Sequence, residues 1–251
     1  MKTSASSFHC LKTVGIVSQA RMTSSRLPGK VLRPIAGQPL LRYHVQRLRR
    51  SRLPVYLAIT TNTADDPLAV FAEAEGLPYF RGDEHDVLSR YGQCAERFGL
   101  DVVVRVTSDC PLIDGALVAE GVRQYLAAAD EQLYVSNVLR RTFPRGLDFE
   151  VFSRKLLAEA VAHATLASDL EHVTPYIHQN RSGTVRFQHV TRSEDDSALR
   201  LTVDTEDDFR LIEMLITHYR ADQLNADELI ALLAKHPELV ALNAHVEQKK
   251  L

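Results

Sequence analysis

The residues with the clearest capacity for chemistry form a short cationic segment near the N-terminus. Arg21, Arg26 and Lys30 are spaced along it, with Ser24 between the first two, and they follow the apolar run 14–20. We interpret this run as a buried parallel strand. A cationic loop at the carboxyl end of a strand is where an open α/β sheet binds its ligand, and fixed cations suit a triphosphate. On charge alone, a solvated basic loop is the simpler explanation.

Two carboxylates follow other apolar runs. Asp109 comes after the run 101–106, and Asp204 comes after the run 199–203. Because the carboxyl ends of parallel strands meet at one edge of a sheet, both side chains are expected to face one cleft, where they could hold Mg²⁺. The alternative for Asp109 is a turn residue. Near Asp204 the sequence also predicts a capping box between Thr205 and Asp208, which is compatible with a metal role for Asp204.

The order of the residues resembles a known family. Arg-x-x-Ser-x-Arg-Leu-Pro-Gly-Lys after a first strand is similar to the signature of sugar cytidylyltransferases, with the SpsF-type and 3-deoxy-octulosonate enzymes as the nearest members. Thr23 and Ser108 stand where that family usually has glycine. The resemblance implies the reaction of CTP with a sugar to give a CMP-sugar and pyrophosphate, for surface polysaccharide synthesis. It also implies a set of nucleotide-binding residues: Ala20, Arg21, Ser24, Arg26 and Lys30.

The same resemblance assigns further roles. Asp109 stands in a segment similar to the family's Asp-x-Pro-Leu-Ile pattern, and with Asp204 it would bind the Mg²⁺ cofactor. Arg21, Lys30 and Asp109 would be the catalytic residues. The base would be recognised near the second strand and the loop from Arg81 to Asp83, so both ends of that loop are nucleotide-binding candidates.

Candidates for binding the sugar come from two later blocks that resemble SpsF-type sequences. The block 143–152 contains Arg145, Asp148 and Glu150, and the block 171–177 contains His172. A sugar acid needs one cation and several hydroxyl partners, which Arg145 and Asp148 could supply. A surface hairpin with its own ion pair explains the first block equally well. His172 has no partner at a zinc-binding spacing, so we interpret it as a packing or substrate residue.

Composition limits the possible classes of protein. The chain has 251 residues, is 45% hydrophobic and carries a net charge of −2, which fits one domain over 1–251 and gives no basic field for nucleic acid or membrane. No apolar run approaches the roughly 20 residues of a membrane span. Three scattered cysteines without a CxxC pair indicate a reduced, cytoplasmic protein.

Alternation of strands and helices predicts the fold. The pattern indicates βαβ units in a Rossmann-like, mostly parallel sheet with helices on both faces, of the nucleotide-diphospho-sugar transferase type, with a small β-containing insertion. Segment 133–200 is expected to bind the sugar or form a dimer contact, and segment 1–12 is expected to be flexible. No GxGxxG motif is present, so this is not the dinucleotide fingerprint. Further strands are predicted over 54–60, 77–80, 133–136, 146–152 and 184–190, and an arginine-rich helix over 39–50 with a solvated basic face.

The expected partners are CTP, a small sugar and a second copy of the chain in a homodimer, with neither nucleic acid nor membrane. Two other functions remain open at this point. A glycosyltransferase that uses a nucleotide sugar would share the nucleotide-binding sheet and metal-bound carboxylates, but it needs no triphosphate-binding loop. A catalytically silent nucleotide-binding protein would not need Arg21, Lys30, Asp109 and Asp204 together.

Overall fold

The computed structural model describes residues 12–247, so the segment predicted to be flexible lies, except for Lys12, outside the described residues. The strands are β1 (Val14–Gln19), β2 (Pro34–Ile35), β3 (Gln38–Pro39), β4 (Val55–Thr60), β5 (Tyr79–Gly82), β6 (Val102–Thr107), β7 (Leu133–Ser136), β8 (Glu150–Ser153) and β9 (Arg186–His189). Seven of them form the central sheet in the order β5-β4-β1-β6-β8-β7-β9, and β2 pairs with β3 separately.

Strand directions confirm the predicted Rossmann-like sheet. β1 pairs in parallel with β4 and β6, β4 with β5, and β7 with β9. Within this sheet only β8 is antiparallel to its neighbours, β6 and β7. The strands of segment 133–200 therefore extend the main sheet. Because the chain adds strands first on one side of β1 and then on the other, the carboxyl ends of β1 and β6 flank a topological switch point, where such sheets bind ligands.

Helices cover both faces of the sheet. They are α1 (Leu40–Arg49), α2 (Asp66–Ala74), α3 (Val87–Arg97), α4 (Gly115–Ala128), α5 (Arg154–His163), α6 (Ala167–His172), α7 (Pro175–His178), α8 (Glu206–Tyr219), α9 (Ala226–Lys235) and α10 (Pro237–Val240). Along β6, Val102 and Val104 join a core with α1, α4 and α8, whereas Val103 joins a second core with α3 and α5. Among the described residues, no helix has the length and apolarity needed to cross a membrane.

Short polar residues cap the starts of several helices, as is typical of aspartate, serine or threonine before a helical pattern. Asp114 accepts hydrogen bonds from the amides of Ala116 and Leu117 at the start of α4, and Ser153 accepts one from Leu156 at the start of α5. Thr205 and the third residue of α8 form the predicted capping box. Each cap satisfies amides that a helix N-terminus leaves unpaired, which is why short polar residues locate these helices well.

Three predicted strands were placed wrongly. The strand predicted over 77–80 is β5, which begins at Tyr79. It starts after Pro78, which has no N–H to donate to a neighbouring strand. The strand predicted over 146–152 is Glu150–Ser153, because Gly146 has a φ of +99° that breaks extended backbone. The strand predicted over 199–203 is an extended segment with one isolated bridge, between Arg145 and Arg200.

The basic face predicted for α1 is also partly wrong. Arg47 is only 2% exposed. Its guanidinium donates to the carbonyl oxygens of Ile113 at 2.7 Å and of Asp222 and Leu224 at 2.8 Å. Arg47 thus fixes the turn between α8 and α9 against the sheet, a structural role that its sequence neighbours did not reveal.

Candidate active site

A cleft of about 320 Å³ opens at the carboxyl ends of β1 and β6, at the switch point of the sheet. The cationic segment after β1 forms one wall, and the loop after β6 forms the floor. The charged residues that line it are Arg21, Arg26, Lys30, Arg90, Arg105, Asp109, Arg145, Asp148, Glu171 and Asp204. Ala20, Ser24 and His172 also line it, so most of the predicted site residues, drawn from distant parts of the chain, come together here.

The path of the cationic loop is set by hydrogen bonds to its backbone. Gly29, at a φ of +69°, donates its amide to the carbonyl of Met22 at 2.9 Å. The amide of Met22 in turn donates to the Asp65 carboxylate at 2.7 Å. Asp65 stands at the N-cap position of α2, yet its side chain makes no cap hydrogen bond and instead accepts from Met22 and Thr60. This buried carboxylate therefore holds the loop onto the sheet.

Lys30 lies between the two predicted metal-binding carboxylates. Its Nζ is 2.9 Å from Asp109 Oδ2 and 2.9 Å from Asp204 Oδ1, and it donates to the carbonyl of Val203 at 2.6 Å. Burial lowers the pKa of Lys30, but the attraction of the two carboxylates outweighs it and the pKa is raised. Burial raises the pKa of Asp109, but the charge and hydrogen bond of Lys30 outweigh burial and lower the pKa to about 2. The ammonium group thus neutralises two carboxylates that would otherwise repel each other.

Asp204 is the most heavily contacted acid in the cleft. Besides Lys30, it pairs with Arg26 at 2.9 Å and with Arg200 at 2.8 Å. Arg200 also pairs with Asp208 at 2.8 Å, which connects the cleft to the capping box of α8. Arg26 and Lys30 are thus both engaged by protein carboxylates.

The loop that carries Asp109 is held from below by a chain of hydrogen bonds. Ser108 Oγ lies 2.7 Å from Ser18 Oγ, which lies 2.8 Å from His44 Nε2, and His44 Nδ1 lies 2.8 Å from the carbonyl of Cys110. A carbonyl only accepts, so His44 Nδ1 carries the proton, Ser18 donates to Nε2 and Ser108 donates to Ser18. Burial lowers the pKa of His44 to about 4, which keeps the ring neutral and the chain intact at neutral pH.

The predicted sugar-binding residues divide into two groups. Arg145, Asp148 and His172 line the cleft, and Asp148 is paired with Arg141. Glu150 lies outside the lining and is only 4% exposed, because its carboxylate accepts from Arg105, Tyr134 and Thr174 beneath the floor. Glu150 is connected to the cleft through Arg105, and its sugar-binding role stays a prediction.

The loop predicted to recognise the base also lies outside the lining. Arg81 donates to the carbonyls of Thr60 at 2.8 Å and Asn62 at 2.9 Å, and it pairs with Asp66 at 2.7 Å. The Asp83 carboxylate accepts from the amides of the two residues that precede α3, at 2.7 and 2.8 Å. In this structure both residues shape the loops around the cleft, and their nucleotide-binding role stays a prediction.

Two arginines in the cleft were missed by the sequence analysis. Arg105 stands in a run of valines, where a charged residue signals a polar function, and it pairs with Glu150. Arg90 lies on the apolar stripe of α3 with Val87 and Tyr91, and a charge on a buried face is a similar signal. Each could have been found by asking why a cation interrupts an apolar pattern.

A switch-point cleft with a cationic loop after β1 and paired carboxylates beside it defines a nucleotidyltransferase. The chain belongs to the cytidylyltransferase family, whose model matches residues 14–245. It is 33% identical over 234 residues to the spore coat polysaccharide biosynthesis protein SpsF of Bacillus subtilis, covering 88% of this chain and 94% of that protein.

Solved structures agree with this family. A cytidylyltransferase from Leptospira borgpetersenii matches with a TM-score of 0.87 and 31% identity over 96% of this chain and 100% of that one. A CMP:2-keto-3-deoxy-manno-octonic acid synthetase in complex with CTP matches with a TM-score of 0.61 over 82% of this chain and 99% of that one. At 16% identity, that second likeness shows the fold alone. The family and fold predicted from the sequence are thereby confirmed.

Proposed function

We propose that the protein transfers the cytidylyl group of CTP to a sugar acid of the octulosonic or nonulosonic type, for the synthesis of a surface polysaccharide. One observation carries the proposal: the carboxylates of Asp109 and Asp204 converge on Lys30 inside a cleft whose wall is the cationic loop. This arrangement places triphosphate-binding cations beside acids that can bind a metal. The names of the relatives, which include sugar cytidylyltransferases and a polysaccharide biosynthesis protein, support the same reaction.

The cluster at Lys30 fits a magnesium site. Two carboxylate oxygens already contact one cation at 2.9 Å each, so the site is arranged to hold a positive charge. Within residues 12–247, no three or more acidic, histidine or cysteine side chains are grouped so that they could hold a metal ion together. Mg²⁺ commonly takes only one or two protein carboxylates and completes its shell with phosphate and water, so Asp109 and Asp204 suffice. When bound, Mg²⁺ would neutralise charge on the phosphate oxygens.

The transfer needs positioning and charge neutralisation rather than a covalent intermediate. A hydroxyl oxygen of the sugar forms a bond to the α-phosphorus and loses its proton to solvent. The bond from that phosphorus to the bridging oxygen breaks, and pyrophosphate leaves with the electron pair. Arg21, Arg26 and Lys30 bind phosphate oxygens, and Lys30 is released for this task when another cation takes its place between the carboxylates.

The acceptor lies on the other side of the cleft in this proposal. Arg145 lines the cleft, and among the described residues its side chain makes no ion pair, so its guanidinium is available to an acid group of the sugar. Asp148 and His172, which also line the cleft, are suited to sugar hydroxyls. This arrangement separates the two substrates along the edge of the sheet.

Calorimetric titration of CTP, UTP, GTP and ATP in the presence of Mg²⁺ tests the nucleotide part of the proposal. We expect CTP to bind most tightly. Binding of UTP or GTP with equal or greater affinity would contradict cytidylyl transfer and leave the fold unaffected.

A further inference from the structure

Arg90 is a buried cation whose guanidinium is only partly hydrogen-bonded. It lines the cleft and is only 1% exposed. Its Nη1 donates to the carbonyl oxygen of Asp83, its Nε has no hydrogen-bond partner, and no carboxylate of residues 12–247 forms an ion pair with it. Burying a guanidinium without a counter-ion is unfavourable by several kcal/mol. An arginine in this state does little for stability, which points to a ligand.

Other groups near Arg90 favour an anion. Val87, the first residue of α3, lines the same cleft, so the positive end of this 11-residue helix faces it. Arg21 lines the cleft as well, and its nearest carboxylate, that of Glu171, is 4.0 Å away. Burial lowers the pKa of Arg90, and the nearby charge of Arg21 also lowers it, which together outweigh the opposing effects of Tyr91, Asp65 and Asp83.

The acids of the neighbouring loop are directed to backbone amides. Asp83 accepts from the amides of His85 and Asp86, and Asp86 accepts from the amide of Ser89. These hydrogen bonds hold the carboxylates at the helix start without an ion pair to Arg90. Asp83 and Asp65 therefore act on Arg90 only from a distance, and its Nε is left without a hydrogen-bond partner and available to a ligand.

Four of the six cations that line the cleft fall into two sets. Lys30 and Arg26 are held by Asp204, at the place where the group transfer is proposed. Arg21 and Arg90 have no close carboxylate partner and stand beside the start of α3. In a nucleoside triphosphate, the α-phosphate is transferred, and the β- and γ-phosphates leave as pyrophosphate. The two leaving phosphates carry most of the negative charge.

We propose that Arg90, together with Arg21 and the N-terminus of α3, binds the departing pyrophosphate. This inference rests on the proposed function and adds a binding residue to it. A guanidinium presents two parallel donors to phosphate oxygens, and a site from which water is largely excluded strengthens that contact. Arg90 would stabilise the charge that develops on the leaving oxygen, while CMP, which lacks these phosphates, would bind without it.

Calorimetry with sodium pyrophosphate and, separately, with CMP tests the proposal on the full chain. The variants are Arg90→Met, Arg90→Lys and, as a matched control on the exposed end of the same helix, Arg97→Met. We expect Arg90→Met to weaken pyrophosphate binding by about 10-fold to 100-fold, as for loss of a charged hydrogen bond, and to leave CMP binding unchanged. Arg90→Lys should retain part of the affinity, and Arg97→Met should match the parent.

Thermal unfolding of the ligand-free variants separates binding from structure. Replacing an unpaired buried cation by an apolar side chain of similar length should leave the melting temperature of Arg90→Met unchanged or raise it. Pyrophosphate binding of Arg90→Met equal to that of the parent would overturn the inference and leave cytidylyl transfer standing. A parent that binds neither CTP nor pyrophosphate would overturn the proposed function as well.

Discussion

At the scale of single residues, the account depends on Lys30 acting as a replaceable cation. Its ammonium group lies 2.9 Å from both Asp109 and Asp204, where a metal ion is proposed to bind. In the proposed mechanism, Lys30 competes with Mg²⁺ in the free protein and binds the triphosphate in the complex. In this structure a side chain of the protein itself provides the positive charge between the two carboxylates.

Replacing Lys30 by methionine should change the affinities for metal and nucleotide in opposite directions. Without the ammonium group the two carboxylates repel each other, so Mg²⁺ or Mn²⁺ should bind about 10-fold more tightly in the absence of nucleotide. CTP should bind about 10-fold more weakly, since one charge-assisted contact is lost. Calorimetric titration measures both, with Lys155→Met on the surface of α5 as the control. Unchanged metal binding in Lys30→Met would contradict the proposal that a metal ion replaces the Lys30 ammonium group between the two carboxylates.

Glu150 shows how a residue outside the cleft can control one inside it. Replacing Glu150 by glutamine keeps the shape and removes the partner of Arg105, and breaking such a buried pair costs about 3–5 kcal/mol. Urea unfolding at pH 7 measures this loss, and the partly exposed Glu131→Gln serves as the control. Equal stability of Glu150→Gln and the parent would show that Arg105 does not depend on this carboxylate.

The same carboxylate predicts a pH dependence. Burial raises the pKa of Glu150, but Arg105 and its other partners outweigh this and lower it below the usual 4.5. A carboxylate with a lowered pKa stabilises the fold above its unfolded pKa, and this contribution is lost as the pH falls through the folded value. The parent should therefore lose stability below about pH 4.5, and Glu150→Gln should lose less over the same range. Parallel curves for the two proteins would contradict this cause.

At the scale of elements, Gly146 allows the segment before β8, on the proposed acceptor side of the cleft, to pack closely against the backbone of Leu201 and Thr202. Its φ is +99°, and a Cβ there would lie 2.5 Å from the carbonyl carbon of Leu201 and 2.6 Å from the amide nitrogen of Thr202. Gly146→Ala should therefore destabilise the protein by about 3 kcal/mol or more, from backbone strain and overpacking together. Gly183→Ala, at a φ of +74° with open space around it, should lose only about 1–2 kcal/mol. Equal losses would show that the close approach to Leu201 is unimportant.

What the sequence predicted depended on how local the signal was. The cationic loop, Asp109 and the caps of α4, α5 and α8 were found because each is specified within a few neighbouring residues. The hydrogen bond from Met22 to Asp65 joins residues 43 positions apart, and the ion pair of Arg105 with Glu150 joins residues 45 positions apart. Such contacts depend on the order of the strands, which local patterns do not encode.

The pairing partner of a strand was the other feature that local sequence patterns did not predict. The segment 199–203 has the apolar pattern of a strand, but it pairs with the segment before β8 through one isolated bridge, between Arg145 and Arg200.

At the scale of the whole molecule, one sheet edge brings together residues from Ala20 to Asp204. The strand order places β1 between β4 and β6, so the loops after β1 and β6 face each other. The region 133–200 then contributes Arg145, Asp148 and His172 to the lining, on the side proposed to bind the acceptor. The homodimer expected from the sequence stays a prediction that light scattering can check.

The central claim is that this cleft transfers a cytidylyl group to a sugar acid. The most direct measurement is release of pyrophosphate from CTP and Mg²⁺ with a panel of octulosonic and nonulosonic acids, with the CMP-sugar product followed by mass spectrometry. The account predicts that one acid gives equal amounts of pyrophosphate and CMP-sugar. It also predicts that Asp109→Asn and Asp204→Asn each lower turnover by about 100-fold or more, and that the double variant is little worse than the weaker single one. Turnover near that of the parent in both single variants, or no CMP-sugar from any acid in the panel, would contradict it.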